Sequence, residues 1–274
     1  MVIHDLVREC EKNLSDNARF EAEQIVMSAL GLTRTDLITR GREEADNGAV
    51  NAACEMVSRR VSGEPLQYIL GECEFMSLPF YTERNVLIPR SDTETLVEQI
   101  IKSAEPDAEI LDICCGTGCI GISLAHFLNG ARVTLLDISE KAVALAQRNI
   151  ALNDVKDITV KKLDILTEIP CGRYDIIVSN PPYIETAVIG TLQREVKDFE
   201  PHLALDGGSD GLVFYRRITE IAPQMLNENG ILAFEIGFNQ GDSVKELMEK
   251  NFTEVKIIKD LTGNDRVVTG RKRK

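Results

Sequence analysis

The chain has 274 residues, of which 43% are hydrophobic and 27% are charged, and its formal net charge is −13. These values are typical of a globular protein with about two domains, and the negative charge argues against wide contact with a nucleic-acid backbone. No apolar run is long enough for a transmembrane helix, and the N-terminus lacks the pattern of a secretory signal. The C-terminal RKRK is the one basic cluster, and we interpret it as a solvated tail.

Seven cysteines are scattered along the sequence: Cys10, Cys54, Cys73, Cys114, Cys115, Cys119 and Cys171. Their odd number does not favour a disulfide framework. No CxxC pair occurs and there are only three histidines, so no metal site is predicted. We therefore expect reduced thiols in a cytoplasmic protein.

The N-terminal segment, residues 1–72, is predicted to be a small helical domain. Apolar residues recur at helical spacing, first between Ile3 and Leu14 and then between Ala22 and Leu30. The segment contains no set of side chains suited to chemistry. Because it precedes a part of the chain that does, we expect it to serve substrate recognition.

Residues 73–90 are predicted to form a β-hairpin linker. The stretch EFMSLPFYTERNVLIP has β-type apolar residues on both sides of the polar TERN, which we interpret as the turn. The SDTE that follows has Ser91 and Glu94 at the spacing of a capping box, which predicts a helix from Ser91 to about Lys102.

Residues 91–274 alternate between strand and helix patterns. Strand-like runs such as EILDIC, RVTLLDI and YDIIVSN are separated by amphipathic helical segments. This alternation predicts an α/β domain with a doubly wound, mainly parallel sheet. Ligands of such sheets bind at the carboxyl ends of the central strands.

A glycine-rich loop follows the first strand of this domain. Gly116, Gly118 and Gly121 form a GxGxxG pattern, which lets the backbone turn sharply and approach a ligand. Asp137 ends the next strand, where a carboxylate can accept both hydroxyl groups of a ribose. Nicotinamide or flavin dinucleotides and S-adenosylmethionine all fit this arrangement.

Asp112, inside the motif, favours S-adenosylmethionine over the dinucleotides. Asp112 would be costly to bury without a cation, and an amino-acid ammonium, directly or through water, would provide one. Asp164 and Ile165 follow the third strand, where an adenine is expected. Asp164 could accept a hydrogen bond from the adenine amine while Ile165 packs on the ring.

The fourth strand ends in the stiff corner Asn180-Pro181-Pro182-Tyr183. The Asn180 side-chain oxygen and the Pro181 carbonyl can accept both N–H bonds of a planar NH₂ group, which raises the nucleophilicity of its nitrogen. Tyr183 can cover the planar group or the cationic sulfonium. A nicotinamide oxidoreductase would leave this corner unexplained.

Several segments together resemble the protein-(glutamine-N5) methyltransferases of peptide chain release factors, called PrmC or HemK. They are QYILGECEF, VLIPRSDTE, ILDICCGTGCIGISLA, SNPPYI and EPHLALDGGSDGL, and the resemblance extends over nearly the whole chain. It implies a Rossmann-like class I methyltransferase domain, preceded by a helical domain that helps to recognise the release factor.

The resemblance also implies site residues and partners. The cofactor would contact Cys114, Cys115, Gly116, Thr117 and Gly118, together with Asp137, Ile165 and Asn180, and the residues from Asn180 to Tyr183 would hold the substrate glutamine. The substrates would be class I release factors, with no direct nucleic-acid contact and no membrane, and the chain would be a monomer.

This chain departs from the usual family pattern in two places. Cys114 and Cys115 stand where the family often has Gly and Thr, and Ser91 stands where it often has Pro. Both replacements are small, so we expect them to alter cofactor affinity at most. A methyltransferase acting on an exocyclic amine of RNA or DNA is the alternative, since the same corner would suit adenine or guanine. The acidic charge argues against it.

Overall fold

The computed structural model describes residues 1–15 and 17–273, so Lys274, the last residue of the RKRK tail, lies outside the described residues. The chain divides into two compact units, Met1–Gly71 and Glu72–Lys274. Each unit has its own hydrophobic core. No helix among the described residues has the length and apolar character needed to cross a bilayer.

Within residues 1–15 and 17–71, the first unit forms five helices: α1 (Ile3–Asn13), α2 (Ala18–Leu30), α3 (Arg34–Thr39), α4 (Asn47–Val61) and α5 (Leu66–Leu70). Ile3, Leu6 and Val7 of α1 are buried, as are Ile25 and Val26 of α2. These are residues whose spacing predicted amphipathic helices. The predicted helical N-terminal region is confirmed.

The second unit is an α/β domain, described over residues 72–273. Its strands are β1 (Glu72–Phe75), β2 (Leu78–Tyr81), β3 (Glu109–Ile113), β4 (Arg132–Asp137), β5 (Ile158–Lys162), β6 (Tyr174–Ser179), β7 (Leu226–Glu235), β8 (Phe252–Lys259) and β9 (Asp265–Lys272). Its helices are α6 (Glu94–Ile101), α7 (Cys119–Phe127), α8 (Glu140–Leu152), α9 (Thr186–Ile189), α10 (Arg194–Phe199), α11 (His202–Leu205), α12 (Val213–Met225) and α13 (Gly241–Glu249).

The main sheet has the strand order β5-β4-β3-β6-β7-β9-β8. The strands from β5 to β7 run parallel to their neighbours, and β9 runs antiparallel to both β7 and β8. From β3 the chain first adds β4 and β5 on one side of the sheet and then β6 and β7 on the other, so the strand order reverses beside β3. The predicted doubly wound, mainly parallel sheet is confirmed.

Successive residues of the central strands supply the cores on the two faces of this sheet. Ile110 of β3 belongs to a cluster that includes Leu96 of α6 and Ile122 of α7. Its neighbour Leu111 belongs to a second cluster, which includes Ile218 of α12. This alternation is the two-residue period of a strand covered on both faces. It leaves the carboxyl ends of the strands free to form a site.

The β1–β2 hairpin turns earlier than the sequence predicts. Phe75 pairs with Leu78, so Met76 and Ser77 form the turn, and TERN comes after the second strand. The φ angles of Met76 and Ser77 are +52° and +60°, as in a type I′ turn. Neither residue is the glycine or asparagine that usually marks this turn, which is why sequence patterns point to TERN instead.

The predicted capping box at Ser91 is wrong, because Glu94 bonds to the same hairpin turn instead of to the start of its own helix. Ser91–Thr93 form a single 3₁₀ turn, and α6 begins only at Glu94. The Glu94 carboxylate does not bond back to the start of its own helix; it accepts a hydrogen bond from the Met76 backbone N–H at 2.7 Å. A long-range partner in the hairpin turn thus replaces the local cap.

Gly121→Ala is expected to reduce the free energy of unfolding by about 1–3 kcal/mol, because overpacking a core forces side chains out of their rotamers. A Cβ at this position would lie 2.2 Å from Leu135 Cδ2 and 3.0 Å from Val133 Cγ1. Chemical denaturation of the full chain measures the effect. Gly190→Ala is the matched control, because φ is −63° there and no heavy atom of the described residues lies within 4 Å of the added carbon. Equal stability losses in both variants would contradict this packing account.

Candidate active site

An open cleft lies at the carboxyl ends of β3, β4 and β6, where the strand order reverses. It encloses about 1140 Å³ of empty space, part of it open to solvent. The sequence-predicted residues that line it are Cys114, Cys115, Gly116, Thr117, Asp137, Asp164, Ile165, Asn180 and Pro182.

The loop between β3 and α7 forms one wall of this cleft. Its backbone is left-handed at three positions, with φ of +61° at Cys114, +54° at Gly116 and +82° at Gly118. Glycine adopts this conformation without strain, whereas a cysteine does not. The Cys115 N–H anchors the loop by donating to the Leu136 carbonyl at 3.0 Å. Cys114 therefore occupies a position that favours glycine, the residue often found there in the resembled family.

Asp137 is held at the end of β4 by two backbone hydrogen bonds. Its Oδ2 accepts from the Gly116 N–H and its Oδ1 from the Ser139 N–H, both at 2.9 Å. Burial raises the pKa of this carboxyl group. Two ionised oxygens can accept about four hydrogen bonds, so Asp137 keeps acceptor capacity for a ligand while it fixes the glycine loop.

Asp112 lies beneath the glycine loop and is not among the described residues that line the cleft. Its Oδ2 accepts from the Gly121 N–H at 3.0 Å, and its Oδ1 is buried with no hydrogen-bond partner in the described structure. Burial raises the pKa of the carboxyl group to about 8. A buried acceptor of this kind suits an ordered water beneath the loop. The proposed ammonium contact stays a prediction.

The predicted adenine residues follow β5. Ile165 is buried and lines the cleft, as a residue that packs on a ring would. Asp164 is partly engaged with its own loop: Oδ1 accepts from the Leu166 N–H at 3.0 Å and Oδ2 from the Thr167 hydroxyl at 3.0 Å. Both oxygens retain a second acceptor position, so its contact with an adenine amine stays a prediction.

Asn180 follows the last residue of β6 and lines the cleft. Its Nδ2 donates to the Thr93 hydroxyl at 3.4 Å. No described group donates to its Oδ1, which is therefore free to accept a hydrogen bond from a ligand. The amide thus has one occupied end and one available end.

The rest of the proline corner is held by its own contacts. Pro182 lines the cleft, whereas Pro181 and Tyr183 are not among the described residues that do so. No hydrogen bond between described residues reaches the Pro181 carbonyl. The Tyr183 carbonyl accepts from Gln240 Nε2 at 3.0 Å, and burial raises the pKa of its phenol to about 12. Tyr183 is therefore a neutral ring beside the corner, and its predicted stacking on the substrate is untested.

Sequence reasoning missed other polar groups at this edge. Thr93 lines the cleft, although its place in the sequence predicts only the start of a helix. Glu235 ends β7 with 2% of its surface exposed. Arg90 also lines the cleft and makes an ion pair with the buried Glu200. A carboxylate that ends a hydrophobic strand was the available signal for Glu235. No cluster of potential metal ligands occurs among the described residues.

Comparisons with known proteins identify the class first. Residues 90–209 match the family described as "Methyltransferase small domain". The fold is similar to that of a crystal structure described as a methyltransferase from Pyrococcus furiosus, with a TM-score of 0.55 and 21% identity over 72% of this chain and 90% of that chain. This likeness supports the fold of a methyltransferase.

Relatives then define the family more closely. Residues 2–71 match the "PrmC N-terminal domain". A protein of Geobacter sulfurreducens named release factor glutamine methyltransferase is 43% identical, over 93% of this chain and 90% of its own. One of the same name from Fusobacterium nucleatum is 40% identical, over 99% of this chain and 78% of its own. The chain belongs to the release factor glutamine methyltransferase family, and the resemblance predicted from the sequence is confirmed.

Proposed function

We propose that this protein transfers a methyl group from S-adenosylmethionine to the side-chain nitrogen of the glutamine in the Gly-Gly-Gln motif of peptide chain release factors. The names of its relatives support this activity. The observation that carries it in the structure is the Asn180 amide, whose nitrogen is engaged by Thr93 and whose oxygen is available at the cleft. The names of the relatives do not favour the alternative, an exocyclic amine of RNA or DNA.

The residues of the cleft fit the cofactor. Asp137 would hold the ribose hydroxyl groups, and Ile165 and Asp164 the adenine. The loop of Cys114, Cys115, Gly116, Thr117 and Gly118 would follow the amino-acid part, with the unpartnered Asp112 oxygen below it. When bound, S-adenosylmethionine supplies an electrophilic methyl group on a cationic sulfur.

The chain's own contribution is to prepare the acceptor nitrogen. The lone pair of a glutamine amide is delocalised into its carbonyl, which makes the nitrogen a poor nucleophile. The amide clamp, which we define as Asn180 Oδ1 and the Pro181 carbonyl, accepts the two N–H bonds and turns the lone pair toward the methyl group. These oxygens also stabilise the positive charge that develops on nitrogen.

Proton removal needs no strong base in this scheme, because the N-methylated amide cation is acidic and loses its proton readily. The neutral ring of Tyr183 covers the planar amide and helps to exclude water. The chain therefore acts by positioning and by fixed dipoles.

The proposal also includes the oligomeric state, the location and the partners of the protein. The protein acts as a monomer in the cytoplasm on class I release factors, without direct nucleic-acid contact. Its charge of −13 supports the last point, and all seven cysteines are free thiols, as a reducing compartment would keep them.

Removal of residues 1–71 is expected to leave S-adenosylmethionine affinity unchanged and to impair methylation of the whole release factor. The residues proposed to bind the cofactor all lie in the second unit, which has hydrophobic cores of its own. Calorimetric titration measures the first quantity and label transfer the second. A short peptide that contains Gly-Gly-Gln is the control substrate, because it cannot use a distant recognition surface. The role in recognition is wrong if the folded truncated protein methylates whole factor at the full rate.

Competitive label transfer tests the function itself. The protein is incubated with labelled S-adenosylmethionine, purified release factor and total RNA together, and each fraction is counted. Label in the release factor supports the proposal, and label in RNA supports the alternative.

A further inference from the structure

Glu235 lies directly behind the amide clamp, at the end of the strand beside β6. Ser179 of β6 pairs with Phe234 of β7, so Asn180 and Glu235 occupy the next position on two adjacent parallel strands. Only 2% of Glu235 is exposed, and its Oε2 has no hydrogen-bond partner among the described residues. Such a buried carboxyl group is costly, and the mechanism above does not use it.

Thr93 contacts the nitrogen end of the Asn180 amide, and Glu235 lies at the adjacent position of the neighbouring strand. The Thr93 hydroxyl accepts from Asn180 Nδ2 at 3.4 Å, and its single proton is then available to Glu235. Burial raises the pKa of the Glu235 carboxyl group, and the Thr93 and Asn180 side chains beside it lower that pKa in part. The three side chains form one polar network at the ends of β6, β7 and the Ser91–Thr93 turn.

We infer that Glu235 is a positioning residue that, with Thr93, holds the Asn180 amide with its oxygen toward the substrate. The two ends of an amide have nearly the same shape, so packing alone does not select one orientation. A flipped Asn180 would present NH₂ donors to the NH₂ group of the substrate. An ionised carboxylate has acceptors only, and therefore requires the NH₂ end of Asn180 on its own side.

The protonation state of Glu235 determines whether this selection operates. Burial raises the pKa of its carboxyl group to about 7. The charged and titratable groups that face it are Arg266, Asp92, Tyr183, Tyr215 and Cys119. Protonated Glu235 carries an O–H donor that can satisfy Asn180 Oδ1, so the flipped amide becomes populated as the pH falls through about 7.

This inference rests on the proposed function. Two measurements distinguish a failure of the inference from a failure of the proposed function. The first does not use a substrate. In ¹⁵N–¹H spectra, the Asn180 side-chain NH₂ signals are expected to titrate with a midpoint near pH 7, and Glu235→Gln is expected to abolish that titration. If these signals do not titrate in the unsubstituted protein, the inference is overturned whatever the enzyme methylates.

The second measurement is the pH profile of methylation. In the unsubstituted enzyme, kcat/KM is expected to fall below about pH 7 with a single ionisation, because this ratio reports the free enzyme. Glu235→Gln is expected to lower kcat by about tenfold at pH 8 and to remove the acidic limb, since glutamine accepts either orientation of Asn180. S-adenosylmethionine affinity should change by less than about twofold.

Thr93→Val supplies a second variant with a matched control. It removes the hydroxyl group to which Asn180 Nδ2 donates, so kcat should fall while cofactor affinity stays the same. Thr219→Val removes an equally buried hydroxyl group in α12, remote from the cleft, and should change neither quantity. If the unsubstituted enzyme is active and Glu235→Gln keeps both the full kcat and the same loss of activity at low pH, the inference about Glu235 is overturned. The proposed function then still stands. An inactive unsubstituted enzyme instead contradicts the proposed function.

Discussion

Asn180→Ala is expected to lower kcat for glutamine methylation by about 10²–10³-fold, with much less effect on S-adenosylmethionine affinity. Loss of one preorganised partner of a developing charge typically has this magnitude. The effect should fall on kcat, because the contact strengthens as the nitrogen becomes cationic. Single-turnover kinetics with whole release factor and calorimetric titration of the cofactor measure the two quantities.

Asn180→Asp is the matched variant for this prediction. It keeps the shape of the side chain and an acceptor oxygen, so its activity should exceed that of the alanine variant. Its new charge lies near the cofactor site, so cofactor affinity must be measured for both variants. A near-normal kcat in Asn180→Ala would contradict the amide clamp and leave the proline corner with a structural role only.

Asp137→Ala is expected to weaken S-adenosylmethionine binding by about 1–3 kcal/mol, or about 5–150-fold in Kd. The substitution removes the acceptor for the ribose hydroxyl groups. It also removes the partner of the Gly116 N–H, so the glycine loop loses an anchor. Calorimetric titration of the full chain measures the change.

Glu140→Ala is the control for the loss of a negative charge in the same region. Glu140 lies in the first turn of α8, and its exposed carboxylate pairs with Lys162. Its removal should change cofactor affinity by less than about twofold, since exposed ion pairs contribute little. Equal losses in the two variants, or none in Asp137→Ala, would remove Asp137 from the cofactor site.

The sheet could be predicted because its signals are local. Buried strands such as EILDIC and YDIIVSN are short runs in which most residues are apolar, and a helix between them such as α8 buries one face. The two wrong predictions, the position of the hairpin turn and the capping box at Ser91, both depend on a contact between residues that are distant in the sequence. The Met76–Ser77 turn and the start of α6 are linked by the bond from Met76 to Glu94, which no local pattern reveals.

The same distinction between local and tertiary signals applies to the residues of the candidate site. The structure brings Gly116, Asp137 and Asn180 to one cleft, as expected of residues that follow neighbouring parallel strands. Glu235 was missed because its importance depends on β7 lying beside β6, and strand order is a tertiary property. Asp112 was recognised as a buried acid, but the sequence could not show that it lies below the loop rather than in the cleft.

Fragment mass spectrometry of a release factor after reaction tests the central claim most directly. Purified release factor is incubated with this protein and S-adenosylmethionine, digested, and sequenced by fragmentation, with Asn180→Ala run in parallel. The account predicts one added methyl group on the side-chain nitrogen of the Gly-Gly-Gln glutamine, strongly reduced in the variant. An unmodified glutamine, with the methyl group on another residue or in nucleic acid, would contradict it.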